Sequence, residues 1–136
     1  MKSILLIGIL CFCLIPVRSQ NFIGMKEDKI RVAMASEKPE MTLDTRVKNE
    51  SFRYLKYLSR NENETWLIFL DDKGRCNGVR ITYDKNIMDK KVSEMNGMYS
   101  QKGSDRWSYG SGNDEVAISL KRDSSFFSVT WERARQ

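Results

Sequence analysis

Two segments near the C-terminal end alternate between large apolar side chains and small or polar ones. Val116, Ile118 and Leu120 interleave with Ala117, Ser119 and Lys121, and Phe127, Val129 and Trp131 interleave with Ser128 and Thr130. Successive strand residues point to opposite faces, so this pattern requires a sheet with one buried and one solvated face. The run 75–83 repeats it, with Val79, Ile81 and Tyr83 set against Arg80 and Thr82. The runs 52–58, 65–70 and 106–109 are rich in aromatic and branched residues and extend the strand count to six. Short polar turns separate them, among them Asp71-Asp-Lys-Gly74 and Gly110-Ser-Gly-Asn-Asp114, where glycine supplies the left-handed backbone a hairpin needs.

Two segments carry the other periodicity. Ile30, Ala33 and Met34 share one face of a helix over 26–36, which has Glu27 and Asp28 in its first turn and Pro39 beyond its end. Met88, Val92 and Met95 do the same for a helix over 85–95, with Asp84 or Asn86 as its cap and Gly97 past its end. The stretch 40–50 lacks periodicity and reads as a loop. The order is αβββαβββ, with no residue-level repeat between halves. The fold class is α+β: an antiparallel sheet with both helices packed on its apolar face.

The first nineteen residues stand apart. Lys2 precedes an apolar run from Ile4 to Val17, and Val17-Arg18-Ser19 leads into Gln20, the layout of a cleaved secretory leader (1–19). Its removal leaves 136 − 19 = 117 residues as one domain (20–136), with 21 basic and 18 acidic side chains and a net charge of +3. The expected location is secreted or periplasmic, without a membrane span. Cys11 and Cys13 fall inside the apolar run after Leu10 and Phe12, poor settings for lipid attachment.

Absent residue types narrow the chemistry. The chain has no histidine, and past the leader only Cys76 remains. Serine or cysteine nucleophiles then lack their usual base, and a four-ligand cysteine/histidine zinc site cannot be assembled. No Ser-x-x-Lys occurs, and Asp71-Asp72 and Asp114-Glu115 fall in turns, where they are expected to keep ordinary carboxylate pKa values. Cys76 reads as an inert, half-buried thiol. The expectation is a protein that is not an enzyme, with no catalytic residues, no metal site and no cofactor.

A binding role rests on aromatic and basic residues. Trp107 and Tyr109 share one face of a short, otherwise polar strand, the composition of a partly exposed platform for a protein or a sugar, or of two rings closing the core over the second helix. Arg53 and Arg80, with Arg75, Lys121, Arg122 and Arg133, are expected on or near the solvated side of the sheet. A charge of +3 is too small for nucleic acid. The leading function is binding of another macromolecule through the sheet face or loops. The alternative is a carbohydrate or small-ligand binder that also uses Trp66 or Trp131. Asn49-Glu-Ser51 and Asn63-Glu-Thr65 fit the glycosylation triplet, which matters only in a eukaryotic source.

Gly24-Met-Lys-Glu-Asp-Lys-Ile30, followed by Ala33-Met34 and Pro39, resembles the opening of small bacterial envelope proteins of the SmpA/OmlA type and the wider β-lactamase-inhibitor-protein-like group. An aromatic strand and then Phe69-Leu-Asp-Asp-Lys-Gly-Arg75 is similar to their hairpin. The likeness runs from Gly24 to Ile81. It departs at Ser36-Glu37, where those proteins carry glycine, and in lacking their lipid-bearing cysteine. It implies a helix-plus-sheet module that binds proteins of the cell envelope, and it carries across no binding residue; with the aromatic reading, the expected partner is a protein or glycan of the cell envelope.

Overall fold

Four strands follow each of the two helices, one more per half than the alternation predicts. A computed structural model describes residues 22–46 and 51–135; the segment 1–19 read as a leader, and Asn49, lie outside the described residues. The order is α1 (Glu27–Glu37), β1 (Met41–Leu43), β2 (Arg53–Ser59), β3 (Glu64–Leu70), β4 (Cys76–Asp84), α2 (Met88–Met98), β5 (Ser100–Gly103), β6 (Arg106–Tyr109), β7 (Val116–Arg122) and β8 (Phe126–Arg133). All eight strands form one sheet in the order β1-β2-β3-β4-β8-β7-β6-β5, and every neighbouring pair is antiparallel. The α+β class with an antiparallel sheet is therefore correct, and the αβββαβββ order becomes αββββαββββ.

The two added strands are the edges. β1 lies in the stretch read as a loop, and its three residues pair Met41 with Ser59 and Leu43 with Tyr57. β5 is Ser-Gln-Lys-Gly, exposed throughout. Short polar edges guard a sheet against pairing with other chains, and the same polarity removes the apolar signal that marks a strand. At the second helix, Asp84 accepts from the Asn86 amide and caps a single 3₁₀ turn, Lys85–Ile87, ahead of α2. Gly97 lies inside α2 rather than past it, and the helix stops at Tyr99.

Neither helix is long enough to persist alone, since eleven residues fall below the length at which isolated helices survive in water. Packing holds them. Ile30 and Met34 of α1 and Met95 of α2 are buried in one core with Leu55, Ile68, Val79, Ile81, Ile118, Phe127 and Val129. The chain before α1 is also tied to the start of β4. Gly24 N–H donates to Cys76 C=O (2.7 Å), Cys76 N–H to Met25 C=O (2.9 Å) and Glu27 N–H to Gly74 C=O (3.0 Å).

All three tryptophans point inward and are buried. Trp66 donates its indole N–H to Glu64 and Trp107 donates to Asn96 on α2 (2.8 Å), whereas the Trp131 N–H has no partner among the described residues. Trp107 is only 2 % exposed. It closes the core beneath α2 and is not part of a surface platform. Among the described residues no helix is long and apolar enough to cross a membrane.

The Trp107–Asn96 bond makes an unremarkable surface asparagine important. Asn96→Ala is expected to cost about 1–3 kcal/mol by orphaning a buried indole donor. Urea unfolding measures this; a loss under about 0.5 kcal/mol, the usual surface value, would mean the bond holds nothing.

Candidate functional site: the outer face of the sheet

The strand side chains whose parity is opposite to that of the buried core form three rows that can be read straight from the register. The first is Tyr54, Phe69, Gly78, Glu132, Ala117 and Ser108; the second is Lys56, Leu67, Arg80, Thr130, Ser119 and Arg106. The third is Leu58, Thr65, Thr82, Ser128 and Lys121. The face is thus not uniformly solvated in character. Over β2 and β3 it carries Tyr54, Leu58, Leu67 and Phe69; over β6, β7 and β8 it is mostly small and hydroxylic.

The apolar half has relief. Phe52, just before β2, is 65 % exposed. The Tyr54 and Phe69 rings lie 6.4 Å apart, tilted by 57°. The Arg80 guanidinium stands 5.9 Å from the Phe69 ring centre, within cation–π range, and its Nε donates to the Thr130 hydroxyl (3.3 Å). Two open depressions meet here. One of about 720 Å³ runs past Phe52, Phe69, Gly78 and Arg80 to Asp71, Asp72 and Glu132. The other, about 470 Å³, lies among Tyr54, Lys56, Leu67 and Arg80. At Gly78 the register shifts by one residue between Phe69 and Leu70, and the absent side chain leaves the floor beside Phe69 open.

Of the four residues singled out for binding, only Arg80 lies on this face. Arg53 has the parity of Leu55, so it points to the helix side, where its guanidinium meets Glu27 (3.0 Å) at the start of α1. Trp107 is in the core, and Tyr109 is half-buried beside Tyr99, with ring centres 5.6 Å apart. Burial and the neighbouring Tyr99 push the Tyr109 hydroxyl up to about 12. Arg122 and Arg133 share the helix-side parity of Leu120 and Trp131, and Arg75, at the start of β4, donates to Gly24 C=O. The aromatic patch was missed because Tyr54, Leu67 and Phe69 look like core residues in sequence; the register alone turns them outward.

Other chemistry is accounted for by local structure. Cys76 is a free, fully buried thiol, deeper than expected, and burial pushes it up to about 11. Asp71 departs from the expected ordinary behaviour: backbone amides of Arg75 and Lys73 hold its carboxyl below the usual range. That direction is opposite to what a general acid needs. Among the described residues no group of three or more acidic or cysteine side chains is placed to hold a metal ion. No known protein family, curated protein or solved structure matches this chain.

On the helix side Arg122 forms a two-pronged pair with Asp105, both bonds 2.8 Å, tying the β5–β6 turn to the end of β7. This pair holds the Asp105 carboxyl below its ordinary value of 3.8. A carboxyl lowered by folding contributes stability that is complete above its unfolded value and lost as pH falls through the folded one. Melting temperature should therefore drop on acidification below about pH 4, and Asp105→Asn should show a shallower drop from a lower neutral-pH value. Parallel acid profiles for the two proteins would show that the pair does not couple to folding.

Proposed function

We propose that this is an exported, non-catalytic protein of the bacterial cell envelope that binds another protein through the outer face of its sheet. The observation that carries this reading is the cluster of Phe52, Tyr54, Leu67 and Phe69 around Arg80, on the side of the sheet opposite the buried core residues of the same strands. Large apolar side chains left at the surface around an arginine have the composition of an interaction site rather than of an ordinary solvated face. Both helices, in this reading, are confined to the opposite face, which leaves the outer one free along its full width. The resemblance to SmpA/OmlA-type and β-lactamase-inhibitor-protein-like proteins is part of the proposal and agrees with it in kind. The glycan alternative has less support, because Trp66, Trp107 and Trp131 are all buried and only the half-buried Tyr109 remains of the rings it would use.

The test is capture of a protein from envelope extract on immobilised mature chain. Tyr54→Ser combined with Phe69→Ser should abolish capture while preserving the far-UV circular dichroism spectrum. Val32→Ser, which removes an exposed apolar residue from α1, should leave it intact. Equal capture by the wild type and the double variant would sink the outer-face reading.

A further inference from the structure

The charges of this molecule are sorted by face. On the helix side three arginines borne on strands have a carboxylate: Arg53 shares Glu27 with Arg31 (3.0 and 2.8 Å), Arg122 has Asp105 (2.8 Å) and Arg133 has Asp114 (3.2 Å). The outer face is different. Lys56 lies 3.7 Å from Asp44, but among the described residues Arg80, Arg106 and Lys121 have no carboxylate within ion-pair distance. Only Glu132 and Asp84 are outward strand carboxylates, and Asp84 is engaged by the Asn86 amide. Asp71 and Asp72 sit at the rim of the larger depression, and Asp71 is bonded to two backbone amides. The carboxylates thus rim the larger depression, whereas the smaller one is bordered by Lys56 and Arg80 and by no carboxylate, and the cross-strand row through Lys56, Arg80 and Arg106 holds none either.

We infer that the partner presents carboxylates beside an apolar centre: an acidic protein element whose large apolar side chain rests on Tyr54, Leu67 and Phe69 while a carboxylate meets Arg80. This rests on the outer-face reading and specifies the chemistry of what binds there. The register supports it. Lys56, Arg80 and Arg106 occupy one cross-strand row, with Arg80 two strands from Lys56 and three from Arg106. At the usual strand spacing this sets cations about 10 and 14 Å apart, within reach of carboxylates on one helix or strand. Arg80 borders both depressions and leans on Phe69, so its exposed guanidinium is held beside the apolar centre, where a carboxylate can meet it with paired N–H donors. A flat anionic bilayer would not enter the two depressions. A sugar would not lie flat on two rings tilted by 57°.

The mature protein is titrated by fluorescence anisotropy, at about 0.15 M salt, with a labelled random glutamate–tyrosine copolymer and with polyglutamate of equal length. The copolymer should bind roughly tenfold tighter than polyglutamate, and Phe69→Ser should erase that difference. Arg80→Glu should weaken copolymer binding roughly tenfold, whereas Lys29→Glu on exposed α1 should change it by less than about twofold. Equal losses in R80E and K29E would reduce the effect to net charge and overturn the inference. So would tighter, Arg80-dependent binding of heparin or of phosphatidylglycerol vesicles than of the copolymer. In the extract assay, capture lost in the Tyr54/Phe69 variant but kept in R80E overturns the acidic chemistry and leaves the outer-face reading standing. Capture unaffected by either overturns both.

Discussion

Seven consecutive residue pairs, from Gly78–Glu132 to Asp84–Phe126, join the last strand of the first half to the last strand of the second, and through them two four-stranded pieces become one sheet. The inward members of this seam are Val79, Ile81, Tyr83, Phe127, Val129 and Trp131, all buried, with Val79, Ile81, Phe127 and Val129 among the most deeply buried side chains described. Tyr83 and Phe127 stack across it at 5.2 Å. A four-stranded piece with one short helix buries little on its own, so each half depends on the other for its core. The seam joins strands more than forty residues apart in sequence. Contacts of that separation cost loop entropy before they return any stabilisation, so the halves are expected to fold cooperatively.

The seam also sets the division of labour between faces. Because side chains alternate along each strand, fixing Val79 and Ile81 inward fixes Arg80 outward, and the antiparallel register carries that choice across β3 to β2 and across β8 to β6. The inner face takes the tryptophans and three arginines that end at carboxylates. The outer face takes what remains: an aromatic patch over β2 and β3, small residues over β7 and β6, and the cations Arg80, Arg106 and Lys121, which form no ion pair among the described residues. Burying these apolar side chains against a partner would draw on the same hydrophobic term that holds α1 and α2 in place. An arginine already leaning on an aromatic ring is well placed to orient such a partner.

The parts of this picture legible in sequence are those with strong periodicity. β4, β7 and β8 were readable because they alternate, and α1 because Ile30 and Met34 repeat at helical spacing. β5 was not, since Ser-Gln-Lys-Gly has no apolar member and is a strand only because β6 lies beside it. Arg53 was assigned to the wrong side because its strand begins at an exposed end, where parity cannot be told from burial. Trp107 was open between platform and core, and the choice fell to Asn96, an acceptor brought under it by a helix eleven residues away. Tyr54 and Phe69 failed to stand out because β2 and β3 carry large apolar residues on both faces, which hides the alternation that marks orientation.

By itself the amino-acid sequence determined the α+β class, the place of the turns between β2 and β3, β3 and β4, β6 and β7, and β7 and β8, and the inward set of the last two strands. It also excluded histidine chemistry and any internal disulfide in residues 20–136. These follow from local rules, since periodicity, turn residues and residue counts are properties of short stretches. Tertiary structure decided which strands are neighbours, that the two halves meet through β4 and β8, and which cations find carboxylates. It also decided that an aromatic patch with Arg80 faces outward. Those outcomes depend on the register between distant segments, and a shift of one residue would exchange the two faces.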